Sequence, residues 1–218
     1  MLILFFVKNR VFKMKVNLYK IAKFLFSPIF SILYKIKVVG LENVPNSGRV
    51  VICSNHISNM DPVLLAVAIK RQIFFMAKEE LFRNKFLGNL IKSLGGFPIK
   101  RASRDVLSIK NAQSILKSGK ILGIFIEGTR SKTGELLKPK PGAIILAKNT
   151  FSKIVPICIK PENCKKVKMF KRVTIVIGKP ILPDELGVLS NSSKEIRDAG
   201  RLVMNKIAEL KEDVCKLL

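Results

Sequence analysis

His56 is the one histidine among 218 residues, and it sits in the run Ser54-Asn55-His56-Ile57-Ser58-Asn59-Met60-Asp61-Pro62, directly after the apolar stretch Arg49-Val50-Val51-Ile52-Cys53. Imidazole is the side chain best suited to take and return a proton near neutral pH. If Asp61 turns back across the loop, its carboxylate accepts a hydrogen bond from one ring nitrogen and fixes the tautomer, leaving the other nitrogen free as a base. Such a pair needs no nucleophile of its own, because the hydroxyl of a bound acceptor can stand where serine stands in a Ser-His-Asp triad. A loop histidine followed by a helix-capping aspartate satisfies the same residues and is the competing reading.

A second polar run, Phe125-Ile126-Glu127-Gly128-Thr129-Arg130-Ser131, puts Glu127 at the end of an apolar stretch and the next residues in a turn. Arg130 offers a planar fork suited to phosphate, and Gly128 lets backbone and ligand approach closely. The alternative is a surface turn closed by an Arg130-Glu127 ion pair. A lone histidine excludes any multi-histidine metal site and leaves only carboxylates as ligands, so no metal is expected. Cys53, Cys158, Cys164 and Cys215 show no ligand-like spacing. They read as reduced thiols, with Cys53 an inert core residue.

These residues need a frame. Arg49–Cys53, Ile73–Ala77, Ile121–Ile126, Ile154–Ile159 and Val173–Ile177 read as five strands. Between them lie helical patterns: one opening at Pro62, Phe86–Leu94 closed by Gly95-Gly96, Val106–Leu116 closed by Gly119, Gly142–Lys148 and Lys194–Leu218. Strands separated by helices predict an α/β fold with a central, mostly parallel sheet flanked by helices. Ligands of such sheets bind beyond the carboxyl ends of the strands, where the polar runs fall.

The chain carries 40 Lys and Arg against 15 Asp and Glu, a formal net charge of +25, with 48% hydrophobic residues. That composition fits a globular core and an anionic partner, although lysines spread through a Lys- and Ile-rich chain can also reflect base composition. Residues 1–37 hold Lys8, Arg10, Lys13, Lys15, Lys20, Lys23, Lys35 and Lys37 and no acid before Glu42. Met14, Leu18, Ile21 and Leu25 recur at helical spacing, and Ile29, Ile32, Leu33 and Ile36 resume after Pro28. Two amphipathic helices joined at Ser27-Pro28 are expected. The longest nearly uncharged run, Phe24–Tyr34, falls short of the roughly 20 residues that span a bilayer, so residues 1–37 are read as lying on an anionic membrane surface at its cytoplasmic face, and 38–218 as the main domain. The competing reading is a pair of ordinary helices packed on the core.

Asn55-His56 with Asp61 resembles the N-H-x-x-x-x-D box of the glycerolipid acyltransferases related to 1-acylglycerol-3-phosphate acyltransferase. Gly95-Gly96-Phe97-Pro98-Ile99-Lys100-Arg101, Phe125–Ser131 and Val155-Pro156-Ile157 are similar to that family's further blocks, in its order, though Pro98 stands where many relatives carry another residue. The resemblance covers roughly residues 38–180. It implies direct transfer of a fatty acyl group from acyl-CoA or acyl carrier protein to the sn-2 hydroxyl of 1-acyl-sn-glycerol-3-phosphate (lysophosphatidic acid), giving phosphatidic acid. The implied roles are His56 as general base with Asp61, and Asn55, Glu127, Gly128, Thr129 and Arg130 in substrate binding. Arg101 is the better phosphate clamp, ahead of Lys100 and Arg104. No cofactor is implied beyond the acyl thioester. Glycerol 3-phosphate, another lysophospholipid or a lyso-aminolipid would be served by the same motif residues. A basic nucleic-acid-binding protein is the alternative of a different class, but zinc-finger spacing, an RNA-binding aromatic motif and a phosphate-binding loop are all missing, and no nucleic-acid partner is expected.

Overall fold

A computed structural model describes residues 2–99, 105–162, 166–190 and 192–216, with side chains described from residue 18 to residue 212. The elements run α1 (Leu2–Leu33), β1 (Ile36–Val39), β2 (Val50–Ser54), α2 (Asp61–Ala68), β3 (Ile73–Lys78), α3 (Lys85–Ser93), β4 (Gly96–Ile99), α4 (Val106–Lys117), β5 (Ile121–Phe125), α5 (Gly142–Thr150), β6 (Lys153–Pro161), β7 (Val173–Ile177) and α6 (Ser193–Lys216). Local chemistry sets several boundaries. Asn84 and Asp105 cap α3 and α4 by accepting from the amides of Leu87 and Ser108, and Pro62 occupies the first turn of α2, where its missing N–H costs nothing.

The seven strands form one sheet in the order β1-β7-β6-β2-β5-β3-β4. The five from β6 to β4 are parallel, as the α/β pattern predicts. β7 turns antiparallel to β6, and β1 runs parallel to β7. Two strands, β1 and β4, were not expected. Each is four residues long and lies at one edge of the sheet, and β4 carries Gly96 and Pro98, which weaken any strand pattern. An edge tolerates Pro98 because its missing donor faces no partner strand. The boundary expected after residue 37 falls inside β1.

Alternation along β2 divides the interior into two layers. Val50 and Ile52 join the cluster beneath α1 and α2 with Leu64, Leu65 and Ile69; Val51 and Cys53 join the opposite cluster with Ala112 of α4, Ile144 of α5 and Val203 and Ile207 of α6. All five residues of β2 are buried on both faces, which is what a strand at the centre of a covered parallel sheet requires.

The N-terminal segment departs from expectation. It is a single helix with Pro28 inside it, where two helices joined at Ser27-Pro28 were predicted. Proline removes one hydrogen bond, the one to the Phe24 carbonyl, but Pro28 lies on the exposed side, and packing on both sides of it holds the helix together. The inward stripe is Tyr19, Lys23, Phe30 and Tyr34. Lys23 Nζ donates to the carbonyl of Ala66 at 2.8 Å and to that of Ile69, closing the carboxyl end of α2. Outward lie Leu18, Ile21, Phe24, Leu25, Ile29 and Ile32, all exposed.

Gly123, central in β5, has no room for a side chain: a Cβ there would stand 2.2 Å from Phe75 Cε1 and 2.8 Å from Ile73 Cγ2. Gly123→Ala is therefore expected to cost about 1–3 kcal/mol by overpacking, read as a lowered urea midpoint at unchanged slope.

Candidate active site

β2 and β5 are neighbours in register, Ser54 opposite Phe125, so the two polar loops leave the sheet side by side at its carboxyl edge. The ladder continues one step further, with the Ile126 amide donating to the Ser54 carbonyl at 3.1 Å. Across the loops the Ser131 amide then donates to the His56 carbonyl at 2.8 Å. That bond ties the histidine loop to the Glu127 loop before any side chain is considered.

His56 Nδ1 lies 2.7 Å from Asp61 Oδ2, and the Asp61 side chain is fully buried while that of His56 is 12% exposed. The same Oδ2 accepts from the Ile57 amide at 2.7 Å and the Ser58 amide at 2.8 Å. An ionised carboxylate only accepts, so Nδ1 carries the proton and Nε2 is left with its lone pair. The opposite side of the imidazole is fixed by Phe125, whose ring stacks on it at 3.9 Å between centroids and 14° between planes, with Phe75 stacked on Phe125 in turn at 5.8 Å. Asp61 does stand in the first turn of α2, as the capping reading had it, but its carboxylate is turned to the loop and the imidazole.

Asn55 lies beneath this arrangement. It is 3% exposed, its Nδ2 donates to the Ile159 carbonyl at 3.0 Å, and its Oδ1 accepts from the Ile159 amide at 2.8 Å. The side-chain amide thus imitates one more residue of strand pairing with β6. Both of its polar atoms are committed to that strand, so Asn55 positions the loop from below.

The Arg130-Glu127 ion pair weighed from sequence does not form. Arg130 is exposed and donates to Asn59 Oδ1 at 2.7 Å, reaching back to the histidine loop. Glu127 is 1% exposed. Its carboxylate has no hydrogen-bond partner among the described residues; the amides of His56 and Leu137 favour its charge from nearby without reaching hydrogen-bond geometry. Burial pushes its carboxyl from 4.5 up to about 7, opposed by those amides and by Lys211 and reinforced by the charge of Asp61. Gly128 adopts the left-handed φ of 71° that the turn needs, and Thr129 is exposed beside it. Lys100, Arg101 and Arg104 lie outside the described residues. Sequence reasoning missed Phe125 as the support of the imidazole and Asn59 as the partner of Arg130. The first was hidden because a strand phenylalanine reads as core, and the second because loop asparagines are common. Cys53 is buried, and desolvation pushes its thiol up to about 12, so it offers no thiolate.

The family model described as Acyltransferase matches residues 35–160, which hold His56, Asp61 and the Glu127 loop. This chain belongs to the acyltransferase family. A 1-acyl-sn-glycerol-3-phosphate acyltransferase of Bacillus subtilis (strain 168) is 34% identical over 75% of this chain and 82% of that protein. A protein of Borreliella burgdorferi with the same description is 32% identical over 59% of this chain and 52% of its own length. Among solved structures, the 1-acyl-sn-glycerophosphate (LPA) acyltransferase PlsC from Thermotoga maritima superposes with a TM-score of 0.71 at 28% identity, covering 94% of this chain and 87% of that one. The fold is thus shared over 94% of this chain.

Replacing Asn55 by Ala leaves the buried amide and carbonyl of Ile159 unpaired and is expected to lower stability by about 2 kcal/mol or more in urea denaturation. Glu127 also gives a pH signature. Because its folded value lies above its unfolded one, the folded state holds the extra proton, and stability falls as pH rises from about 4.5 through about 7. Glu127→Gln should remove that component, so the midpoint difference between pH 5 and pH 8 narrows relative to wild type.

Proposed function

We propose that this acyltransferase transfers a fatty acyl group from the thioester of coenzyme A or acyl carrier protein to the sn-2 hydroxyl of 1-acyl-sn-glycerol-3-phosphate, giving phosphatidic acid. The observation that carries the reading is the 2.7 Å contact of His56 Nδ1 with Asp61, which leaves Nε2 as the only basic atom of the loop. The acceptor hydroxyl gives its proton to Nε2 as its oxygen attacks the thioester carbonyl. The C–O bond forms, the tetrahedral centre collapses with loss of the C–S bond, and the departing thiolate takes the proton back from the imidazolium. Asp61 holds the ring while it is positive. No acyl-enzyme intervenes, a view supported by the buried, protonated thiol of Cys53 and by the buried Ser54. Arg130, exposed and held beside the histidine loop by Asn59, meets the phosphate of the acceptor.

The reading also places the enzyme on a membrane surface through its N-terminal helix. Among the described residues no helix is long and apolar enough to cross a membrane. The apolar side of α1 faces outward, and α3, which touches α1, adds the exposed Phe86, Leu87 and Leu90. Two adjoining helices that turn large apolar side chains away from the core suit an interfacial docking surface.

The test is product identification by mass spectrometry after incubation with lysophosphatidic acid and each thioester donor, where the expected product is phosphatidic acid. His56→Ala should lower turnover at least ~100-fold, the usual worth of a general base, while Cys53→Ala should leave turnover largely intact. Loss of turnover in a folded Cys53→Ala protein would point to a covalent route. Arg130→Ala should raise KM for the phosphorylated acceptor more than it lowers kcat, measured by varying that acceptor at saturating donor.

A further inference from the structure

A cleft of about 420 Å³ lies between α1 and the turn that joins α2 to β3, lined by Tyr19, Lys20, Lys23, Phe24, Lys70 and Arg71, with Gln72 beside them. It is not part of the catalytic site. The carbonyls that Lys23 closes, those of Ala66 and Ile69, are at the carboxyl end of α2, whereas Asp61 opens that helix. Eight residues of α-helix separate the two ends by roughly 12 Å.

Two features of this cleft leave its charge unbalanced by the fold. Four cations line it and no carboxylate does, and neither Lys20 nor Lys70 forms an ion pair among the described residues. Lys23 and Arg71 spend donors on main-chain carbonyls, Lys23 on those of Ala66 and Ile69 and Arg71 on those of Pro45, Gly48 and Gly119 at 2.7 to 2.9 Å. No carboxylate of the cleft balances their charge, and burial lowers the Lys23 ammonium to about 8 and the Arg71 guanidinium as well. Four cations with no carboxylate among them call for one ligand class, an oxyanion that accepts from several sides. The surroundings narrow the source. Phe24 at the rim is 82% exposed, and Ile21 and Leu25 follow it on the outward apolar stripe of α1. A charged cleft at the edge of an apolar surface is the disposition in which a headgroup phosphate sits beside acyl chains.

We infer that this cleft binds the phosphate of an anionic membrane lipid, as a site separate from the one that holds the acceptor. The inference rests on the proposed docking of α1 at a lipid surface and adds to it a headgroup pocket of defined residues. The phosphate seats between Lys20 and Lys70 and supplies the counter-charge that Lys23 and Arg71 lack.

The test uses the full-length protein in vesicle flotation, comparing phosphatidylcholine vesicles with vesicles in which part of the lipid is phosphatidylglycerol. Wild type is expected to float with both and to prefer the anionic ones. In Lys20→Gln/Lys70→Gln that preference should fall roughly 30-fold, as expected for two cations near a charged surface, with binding to neutral vesicles unchanged. Lys194→Gln/Lys206→Gln on α6 removes equal charge elsewhere and should leave the preference intact. If the α6 variant loses as much as the cleft variant, or if the cleft variant keeps the preference, the pocket is overturned while interfacial docking stands. A wild type that floats with neither vesicle overturns both. Inorganic phosphate at constant ionic strength separates the sources: should it abolish the preference, the cleft takes free phosphate and the lipid assignment falls.

Discussion

Asp61 Oδ2 is the point on which the site turns. Three donors converge on this single oxygen: the imidazole Nδ1 and the amides of Ile57 and Ser58. The two amides hold the carboxylate within its own loop, and the carboxylate then dictates which ring nitrogen bears the proton. Because Asp61 is fully buried, water does not compete for the oxygen, and the hydrogen bonds act in a low dielectric where they are strong. The loop cannot be remodelled without exposing a charge that the fold has removed from solvent.

The rest of the architecture serves that constraint from three sides. From below, Asn55 extends the pairing with β6 through its side chain, so the residue before the histidine is held as firmly as a strand residue. From the flank, the Phe75-Phe125 stack supports the flat side of the imidazole. From β5, the Ser131 amide grips the His56 carbonyl and keeps the two loops at a fixed distance. These supports come from β2, β3, β5 and β6, the contiguous central strands of the sheet, and the loops that follow them, which is why the parallel core and not its edges determines the geometry of the His56-Asp61 pair.

Much of this was legible in the residues themselves. The buried run before His56, the proline after Asp61 and the spacing between them gave both the strand and the turn-back of the carboxylate, because hydrophobic runs and first-turn prolines act locally. What was not legible depends on pairing across long separations. β1 and β4 are short and become strands only because β7 and β3 offer an open edge. The role of Asn55 appears only once Ile159, far along the chain, is seen opposite it. Glu127 was placed at the end of an apolar stretch with a surface turn as the alternative, and its burial decides between them, since sequence shows that a residue is charged but not which way a turn rolls. Pro28 marked a break in the pattern, and the helix nevertheless continues, because tertiary packing outweighs one missing hydrogen bond.

The slight opening of the His56 side chain bears on economy of fuel. In the proposed reaction the rival of the acceptor alcohol is a water molecule, which would discard the activated acyl group as free acid. A base that shows only an eighth of its surface, with one flat side covered by Phe125, leaves little standing room for stray solvent once a lipid alcohol has settled on the free nitrogen. The crowding around a single ring therefore favours a low ratio of wasted to productive turnovers.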